Sequence, residues 1–120
     1  MLAITLVLAS HVLGSNINVF FEKAARYNVD PLVAAAIIKC ESGGHQSAIH
    51  YNKNDTVDRG IGQINSSWDA TAAALGDDLD TVDGNLDFSF YLMSKHGFSD
   101  YTASMNCWGA ELNKIGQDTS

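Results

Sequence analysis

Glu41 ends an apolar run, and its position favours a carboxylic acid that stays protonated near neutral pH. Residues 32–41 read Leu-Val-Ala-Ala-Ala-Ile-Ile-Lys-Cys-Glu, which predicts a buried helix that Ser42-Gly43-Gly44 ends. A carboxylate in the last helical turn faces the negative end of the helix dipole, and apolar surroundings remove water from it. Both effects raise the pKa. A protonated carboxylic acid can donate its proton to a leaving oxygen, as glycosidic bond cleavage requires.

Asp58 is a second carboxylate, and it lies in a stretch that also carries amide side chains. Glycosidic bond cleavage can pair a protonated Glu with an ionised carboxylate, and Asp58 is the candidate for that second role. The alternative is a structural role in a turn, because Arg59 and Gly60 follow it directly.

Five further residues are candidates for contacts with a substrate. Gln63 offers an amide donor and acceptor that suit the N-acetyl group of a sugar, with hydrogen bonding inside a hairpin as the alternative. The other four are Ser42, Asn65, Tyr51 and Asn106. Trp68 either stacks on a sugar face or packs in the core.

Composition and motifs exclude several other classes of protein. The 120 residues fit one domain, and a net charge of −7 argues against nucleic-acid binding and a polybasic membrane patch. The histidines and cysteines lack metal-ligand spacing, and no phosphate loop is present, so we predict no metal and no cofactor. No run of about 18 apolar residues occurs, so no membrane span is predicted.

The elements that must position these residues are mainly helical. Asp30 and Pro31 are start signals for the helix that leads to Glu41. Residues 49–64 predict a small hairpin or irregular β lobe, and the other predicted helices span residues 16–27, 67–75, 86–95 and 101–115. Residues 2–9 are either a signal-peptide apolar region, with a cleavage site near residue 15, or a first core helix. We therefore predict a mainly α (α+β) domain over residues 16–120.

Several motifs resemble those of a known family. The pattern begins with Glu41-Ser42-Gly43-Gly44 and continues in Asp58-Arg59-Gly60-Ile61-Gly62-Gln63-Ile64-Asn65-Ser66-Ser67-Trp68. Weaker matches are Asn85-Leu86, Tyr91-Leu92 and Ala103-Ser104-Met105-Asn106. Together they resemble the lysozyme superfamily, and most closely the small lytic transglycosylases of phages and of conjugation and secretion systems.

The resemblance implies a lysozyme-like fold and peptidoglycan glycan strands as the substrate. Glu41 is then the catalytic acid that cleaves the β-1,4 bond between N-acetylmuramic acid and N-acetylglucosamine, leaving a 1,6-anhydromuramyl end. It also implies a periplasmic or exported protein, or one carried in a phage virion, as part of a phage particle or a conjugation or secretion apparatus. The alternatives are a lysozyme-type muramidase that uses Glu41 and Asp58, and a non-catalytic glycan-binding or virion structural protein.

Two positions depart from the family pattern. Gly62 stands where a Met or larger residue is usual, which predicts a more open cleft floor. Met105 stands where a Tyr is usual, so another group, such as Tyr51 or a water molecule, must hydrogen-bond near the acid. The motifs also place Cys40 and Cys107 near one cleft, which predicts that they are close in space, as a disulfide or as two buried thiols.

Overall fold

The centre of the fold is a buried helix that ends beside Glu41. The computed structural model describes residues 2–119, and in it this helix, α3, spans Pro31–Ser42. Asp30 begins it, because its Oδ1 accepts a hydrogen bond from the Leu32 backbone N–H at 2.9 Å. Gly43 ends it with a φ of +66°, a backbone conformation that favours glycine. The predicted apolar helix is confirmed, and residues 34–38 are fully buried.

The described residues form five other helices. They are α1 (Leu2–Leu13), α2 (Ile17–Tyr27), α4 (Asp69–Ala74), α5 (Val82–His96) and α6 (Met105–Thr119). Short 3-10 turns cover Gly14–Asn16, Ser66–Trp68 and Ser99–Ser104. Helix α3 packs against α1 and α6, while α2 packs against α5 through the edge-to-face rings of Phe20 and Phe90. The predicted helices are confirmed, although three of them begin in 3-10 turns.

Three short strands form a β lobe after the central helix. Strands β1 (Ile49–Tyr51), β2 (Val57–Arg59) and β3 (Ile64–Asn65) are antiparallel in the order β1-β2-β3. In this register Asp58 lies opposite His50 on one side and Asn65 on the other. The predicted mainly α fold with one small β lobe is therefore confirmed, with a third strand added to the expected hairpin.

The N-terminal helix packs on the core along one face only. Ala9, Val12 and Leu13 are buried, whereas Leu6 and Val7 are more than half exposed. The helical stretch Ala3–Tyr27 is long and apolar enough, by length and composition alone, to cross a membrane. The sequence prediction of no span counted only uninterrupted apolar residues, whereas this stretch continues through a polar turn. Signal sequences and core helices pass the same test, so both interpretations of the first residues stay open; Met1 itself lies outside the described residues.

A disulfide joins the end of α3 to the start of α6. Cys40 and Cys107 are bonded with their Cα atoms 6.0 Å apart, so the predicted proximity is confirmed. The bond spans 67 residues, and a bridge of that length is worth about 4 kcal/mol in the chain-entropy model. A salt bridge of 2.9 Å from Lys39 to Glu111 connects the same two helices.

A partly buried group of charges connects α2 to α5. Asp87 accepts hydrogen bonds from Tyr27 Oη at 2.7 Å and Arg26 Nη1 at 3.1 Å, and it pairs with the buried Lys23 at 3.2 Å. Asp77 Oδ2 is buried there without a donor among the described residues. Burial, together with hydrogen bonding to Asp87, raises the pKa of Asp77 to about 6. A proton on Asp77 thus supplies the missing hydrogen bond between the two carboxyl groups.

The two carboxyl groups of Asp77 and Asp87 make the stability of the fold sensitive to pH. The pKa of Asp77 is above its ordinary value of 3.8, so its contribution to the free energy of unfolding is complete below that value and is lost as pH rises through about 6. We expect Asp77→Asn, which cannot ionise, to be more stable than the parent at pH 8 by about 1–2 kcal/mol after screening. Thermal unfolding at pH 4 and pH 8 measures this.

The matched control is Asp78→Asn at the exposed neighbour, whose Oδ1 accepts a hydrogen bond that an Asn can also accept. It should leave the pH dependence unchanged. The same gain for Asp77→Asn at both pH values would contradict the carboxyl pair.

Candidate active site

A cleft of about 270 Å³ lies between the end of α3, the β lobe, α5 and the 3-10 turn Ser99–Ser104. It is lined by Glu41, Asp58, Gln63, Ile64, Asn65, Trp68, Leu92, Asp100, Tyr101 and Ala103. Five residues that the sequence analysis singled out meet in it, namely Glu41, Asp58, Gln63, Asn65 and Trp68. The segments that form it are far apart in the sequence, so the fold brings the candidate acid and the amide side chains together.

A second cavity, of about 500 Å³, lies between α1 and α6. Its lining is mostly aliphatic, and its charged residues Glu111 and Lys114 pair with each other at 3.6 Å. The cleft at Glu41 is therefore the candidate active site, because it alone of the two combines a carboxyl group of raised pKa with amide side chains.

Glu41 occupies the last turn of α3 and is partly buried. Its Oε1 accepts a hydrogen bond of 2.8 Å from the Ser104 hydroxyl. Burial raises the pKa of Glu41, the Ser104 hydrogen bond lowers it, and the negative charge of Asp58 raises it again; the net direction is upward. The raised pKa that the sequence predicted for this acid is confirmed, with burial as its main cause.

The residues after Glu41 fix the end of α3 to the rest of the molecule. The Ser42 hydroxyl donates to the Ile61 carbonyl at 2.6 Å and accepts from the Gly44 N–H at 3.1 Å. Gly44 has a φ of +86°, and a Cβ there would come within 1.8 Å of the Val12 carbonyl oxygen. Ser42 is not among the cleft-lining residues, so the structure gives its hydroxyl a structural use and its sugar contact stays a prediction.

Gln63 lines the cleft, and its amide nitrogen is bonded within the β lobe. Its Nε2 donates to the Ala48 carbonyl at 3.0 Å and to the Gly60 carbonyl at 2.9 Å. Both amide hydrogens are thus used inside the β lobe, as the hairpin alternative expected. Its Oε1 has no hydrogen bond among the described residues, which leaves an acceptor for a substrate N–H or hydroxyl.

Asp58 and Asn65 form a cross-strand pair on the floor of the cleft. Asn65 Nδ2 donates to Asp58 Oδ1 at 2.7 Å, and Asn65 Oδ1 accepts from the Ser67 N–H at 3.0 Å. Arg59 does not pair with Asp58, because its Nη2 bonds to Asp69 at 2.8 Å. The charge of Asp58 raises the pKa of Glu41 in the same cleft.

Three predicted contact residues lie in different surroundings. Trp68 lines the cleft while its ring packs 5.9 Å from Phe88, so it has both a cleft face and a core face. Tyr51 is 73% exposed on β1, and Asn106 is exposed on α6; neither lines the cleft. The group that hydrogen-bonds Glu41 is Ser104 rather than Tyr51.

The expectation of a more open floor at Gly62 is wrong, because α5 fills the space. A Cβ at Gly62 would lie 1.8 Å from Ser89 Oγ. The buried Asn85 accepts from the Gly62 N–H at 2.8 Å and donates to the Arg59 carbonyl at 3.1 Å. Tyr101 Oη donates to the Gly62 carbonyl at 3.2 Å. The missing side chain thus lets the β lobe approach α5 closely.

Sequence reasoning missed the contribution of the 3-10 turn Ser99–Ser104. Asp100 lines the cleft and accepts from His96 Nδ1 at 2.6 Å, and Ser104 bonds to Glu41. The signal for Ser104 was its place within the weak Ala103–Asn106 motif. Within residues 2–119, no group of three or more His, Cys, Asp or Glu side chains is placed to hold a metal ion, and the absence of a metal stays a prediction.

A protein-family model matches most of the chain. The family model described as Transglycosylase SLT domain matches residues 18–96. The match includes Glu41 and the cleft residues up to Leu92, and it ends before the 3-10 turn Ser99–Ser104 and α6. No curated protein matches the chain.

The contact of Gly62 with α5 gives a prediction about stability. We expect Gly62→Ala to lower the free energy of unfolding by about 1–3 kcal/mol, because its methyl group meets Ser89 Oγ. Ser89→Ala removes that oxygen, so the double variant should recover part of the loss, and chemical denaturation of all four proteins gives the coupling energy.

Gly109→Ala on α6 is the control, because a Cβ there has no neighbour within 4 Å. It should not destabilise the protein. Strict additivity of Gly62→Ala and Ser89→Ala would contradict the close approach.

Proposed function

The chain belongs to the transglycosylase SLT domain family, whose model matches residues 18–96, and on that basis we propose that it is a peptidoglycan lytic transglycosylase. Its fold is lysozyme-like, with the acid at the end of the buried helix and a β lobe across the cleft. The observation that carries the proposal is the partly buried carboxyl group of Glu41, whose pKa is raised and which lines a cleft beside Gln63 and Asn65.

The first step is proton donation by Glu41. Its protonated carboxyl group gives the proton to the oxygen that joins C1 of N-acetylmuramic acid to C4 of N-acetylglucosamine. The C1–O bond breaks, the N-acetylglucosamine hydroxyl leaves, and positive charge develops at C1. Glu41 is then an ionised carboxylate, and the acetamido oxygen of the substrate stabilises C1 without a protein nucleophile.

The second step returns the proton to Glu41. The carboxylate takes the proton of the C6 hydroxyl, and the C6 oxygen bonds to C1 of the same sugar. The product is a 1,6-anhydromuramyl end, no water is consumed, and the acid is restored. The attack is intramolecular, so it has the advantage of proximity over attack by water.

Asp58 contributes through its charge in this proposal. Its carboxylate raises the pKa of Glu41 and so keeps more of the acid protonated at neutral pH. Because both carboxyl groups line one cleft, a lysozyme-type muramidase is the second candidate. In that enzyme Asp58 would act as the nucleophile about 5–5.5 Å from Glu41, and water would release a reducing end.

The substrate also suggests where the protein works. Peptidoglycan glycan strands lie outside the cytoplasm, where a disulfide such as Cys40–Cys107 is stable. We propose a periplasmic or exported protein, or one carried in a phage virion, that acts as part of a phage particle or a conjugation or secretion apparatus. A non-catalytic glycan-binding or virion structural protein is the remaining alternative, and it has no use for an acid of raised pKa.

Replacement of the acid tests whether the protein is an enzyme. Glu41→Gln keeps the size of the side chain but cannot donate the proton, so we expect less than about a hundredth of the parent's lysis of purified peptidoglycan. Its melting temperature should equal or exceed that of the parent, because a buried acid is removed. Glu22→Gln, at an exposed glutamate of α2, should keep full activity. Lysis by Glu41→Gln near the parent rate would rule out the mechanism.

The products separate the two enzymatic candidates. Mass spectrometry of the digest should show muramyl ends that are lighter than reducing ends by one water molecule. Asp58→Asn should lower activity through the pKa of Glu41 and leave product identity unchanged, with Asp55→Asn in the exposed turn as its control. A digest dominated by reducing ends, or an Asp58→Asn variant as inactive as Glu41→Gln, would favour the muramidase.

A further inference from the structure

Ser104 lies outside the part of the chain that the family model matches, yet it touches the proposed acid. It ends the 3-10 turn Ser99–Ser104, directly before α6. Its Oγ lies 2.8 Å from Glu41 Oε1, a contact between residues 63 positions apart in the sequence. Both side chains are partly buried. A hydrogen bond at this distance fixes the rotation of the carboxyl group, and it becomes charge-assisted when the group is ionised.

The hydroxyl of Ser104 has one hydrogen and two acceptors within reach. One is Glu41 Oε1, and the other is the Tyr101 carbonyl at 3.1 Å. That carbonyl already accepts a hydrogen bond of 3.1 Å from Trp108 Nε1. The Ser104 hydrogen is therefore not needed to satisfy the turn, and it can point at the carboxyl group.

Two links fix the position of Ser104 relative to Glu41. Cys40 directly precedes Glu41, and Cys107 follows Ser104 by three residues, so the disulfide ties the two segments. The salt bridge of Lys39 with Glu111 adds a second tie. The donor and the acid therefore belong to one cross-linked unit, in which their distance is held.

We propose that Ser104 is the positioning residue of the acid: its hydroxyl holds Glu41 Oε1, so that Oε2 is the oxygen that presents the proton to the substrate. The same hydroxyl donates to the carboxylate that remains after proton transfer, which lowers the energy of the charge formed in that step. The inference rests on the proposed role of Glu41. Ser104 then supplies the hydrogen bond near the acid that Met105, which stands where a Tyr is usual in the family, cannot supply.

The other ionisable groups near Glu41 are already engaged. From the β lobe, Asp58 accepts a hydrogen bond from Asn65, and its charge raises the pKa of Glu41. The Ser104 hydrogen bond lowers that pKa. In the turn, Asp100 is paired with His96 at 2.6 Å, and the hydroxyl of Tyr101 donates to the Gly62 carbonyl. On the neighbouring faces of α3 and α6, Lys39 is paired with Glu111. Removal of the Ser104 hydroxyl thus leaves no replacement donor from these groups.

The test is the pH dependence of kcat/KM on solubilised peptidoglycan strands for the parent, Ser104→Ala and Ser104→Thr. The alkaline limb reports loss of the Glu41 proton. In Ser104→Ala we expect that limb to move up by about 0.5–1 pH unit, with kcat lowered about tenfold and KM nearly unchanged. Ser104→Thr, which keeps the hydroxyl, should restore both the limb and kcat.

Thr102→Ala is the matched control, because Thr102 Oγ1 donates to the Ser99 carbonyl at 3.2 Å in the same turn and faces solvent. It should leave the limb in place. A Ser104→Ala limb that coincides with the parent's, or a Thr102→Ala limb that moves equally, would overturn the proposal and leave Ser104 a purely structural role.

A second readout does not depend on activity. Titration of the Glu41 carboxyl carbon by NMR should give a higher pKa in Ser104→Ala than in the parent, and the parent value in Ser104→Thr. An unchanged pKa in Ser104→Ala would overturn the positioning role even if the enzyme is active. Conversely, a fully active Glu41→Gln variant would refute the proposed function, while the titration would still decide whether Ser104 bonds to the carboxyl group.

Discussion

The structure depends on one constraint, which is to keep a carboxyl group partly out of water at the negative end of a buried helix. Desolvation and the charge of Asp58 both favour the protonated form of Glu41, and the negative end of the helix dipole acts in the same direction. A wholly buried acid would not release its proton, so the site also needs a hydrogen-bond donor that stabilises the ionised form of Glu41. Ser104 meets that need on one side, and the open cleft meets it on the other. The site is therefore a balance between effects of opposite sign.

Buried hydrogen bonds and close backbone contacts, rather than bulky side chains, hold the walls of the cleft in place. Asn85 on α5 hydrogen-bonds to the backbone of Arg59 and of Gly62 in the β lobe. Because Gly62 has no side chain, its backbone can pack directly against Ser89. Ser42 connects the end of α3 to the same turn at Ile61. Each of these groups would be costly if left unpaired in the interior, so together they specify one approach of the β lobe to the helices.

Local patterns predicted most of the elements but only part of the site. The helix start at Asp30-Pro31, the apolar run to Glu41 and the β lobe are encoded by neighbouring residues, so they could be predicted from the sequence. The partner of Glu41 could not, because Ser104 approaches it only after α6 packs on α3. The floor at Gly62 was misjudged for the same reason: the group that fills the space, Ser89, lies on a helix far along the chain.

The bond between Cys40 and Cys107 makes the rigidity of the site depend on the redox state of its surroundings. In reducing surroundings the two thiols stay unbonded, and the segment that carries Ser104 loses its covalent connection to the segment that carries Glu41. The cross-linked unit therefore reaches its full rigidity only in an oxidising environment. Oxidation of one pair of thiols thus completes the link between the acid and its hydrogen-bond donor.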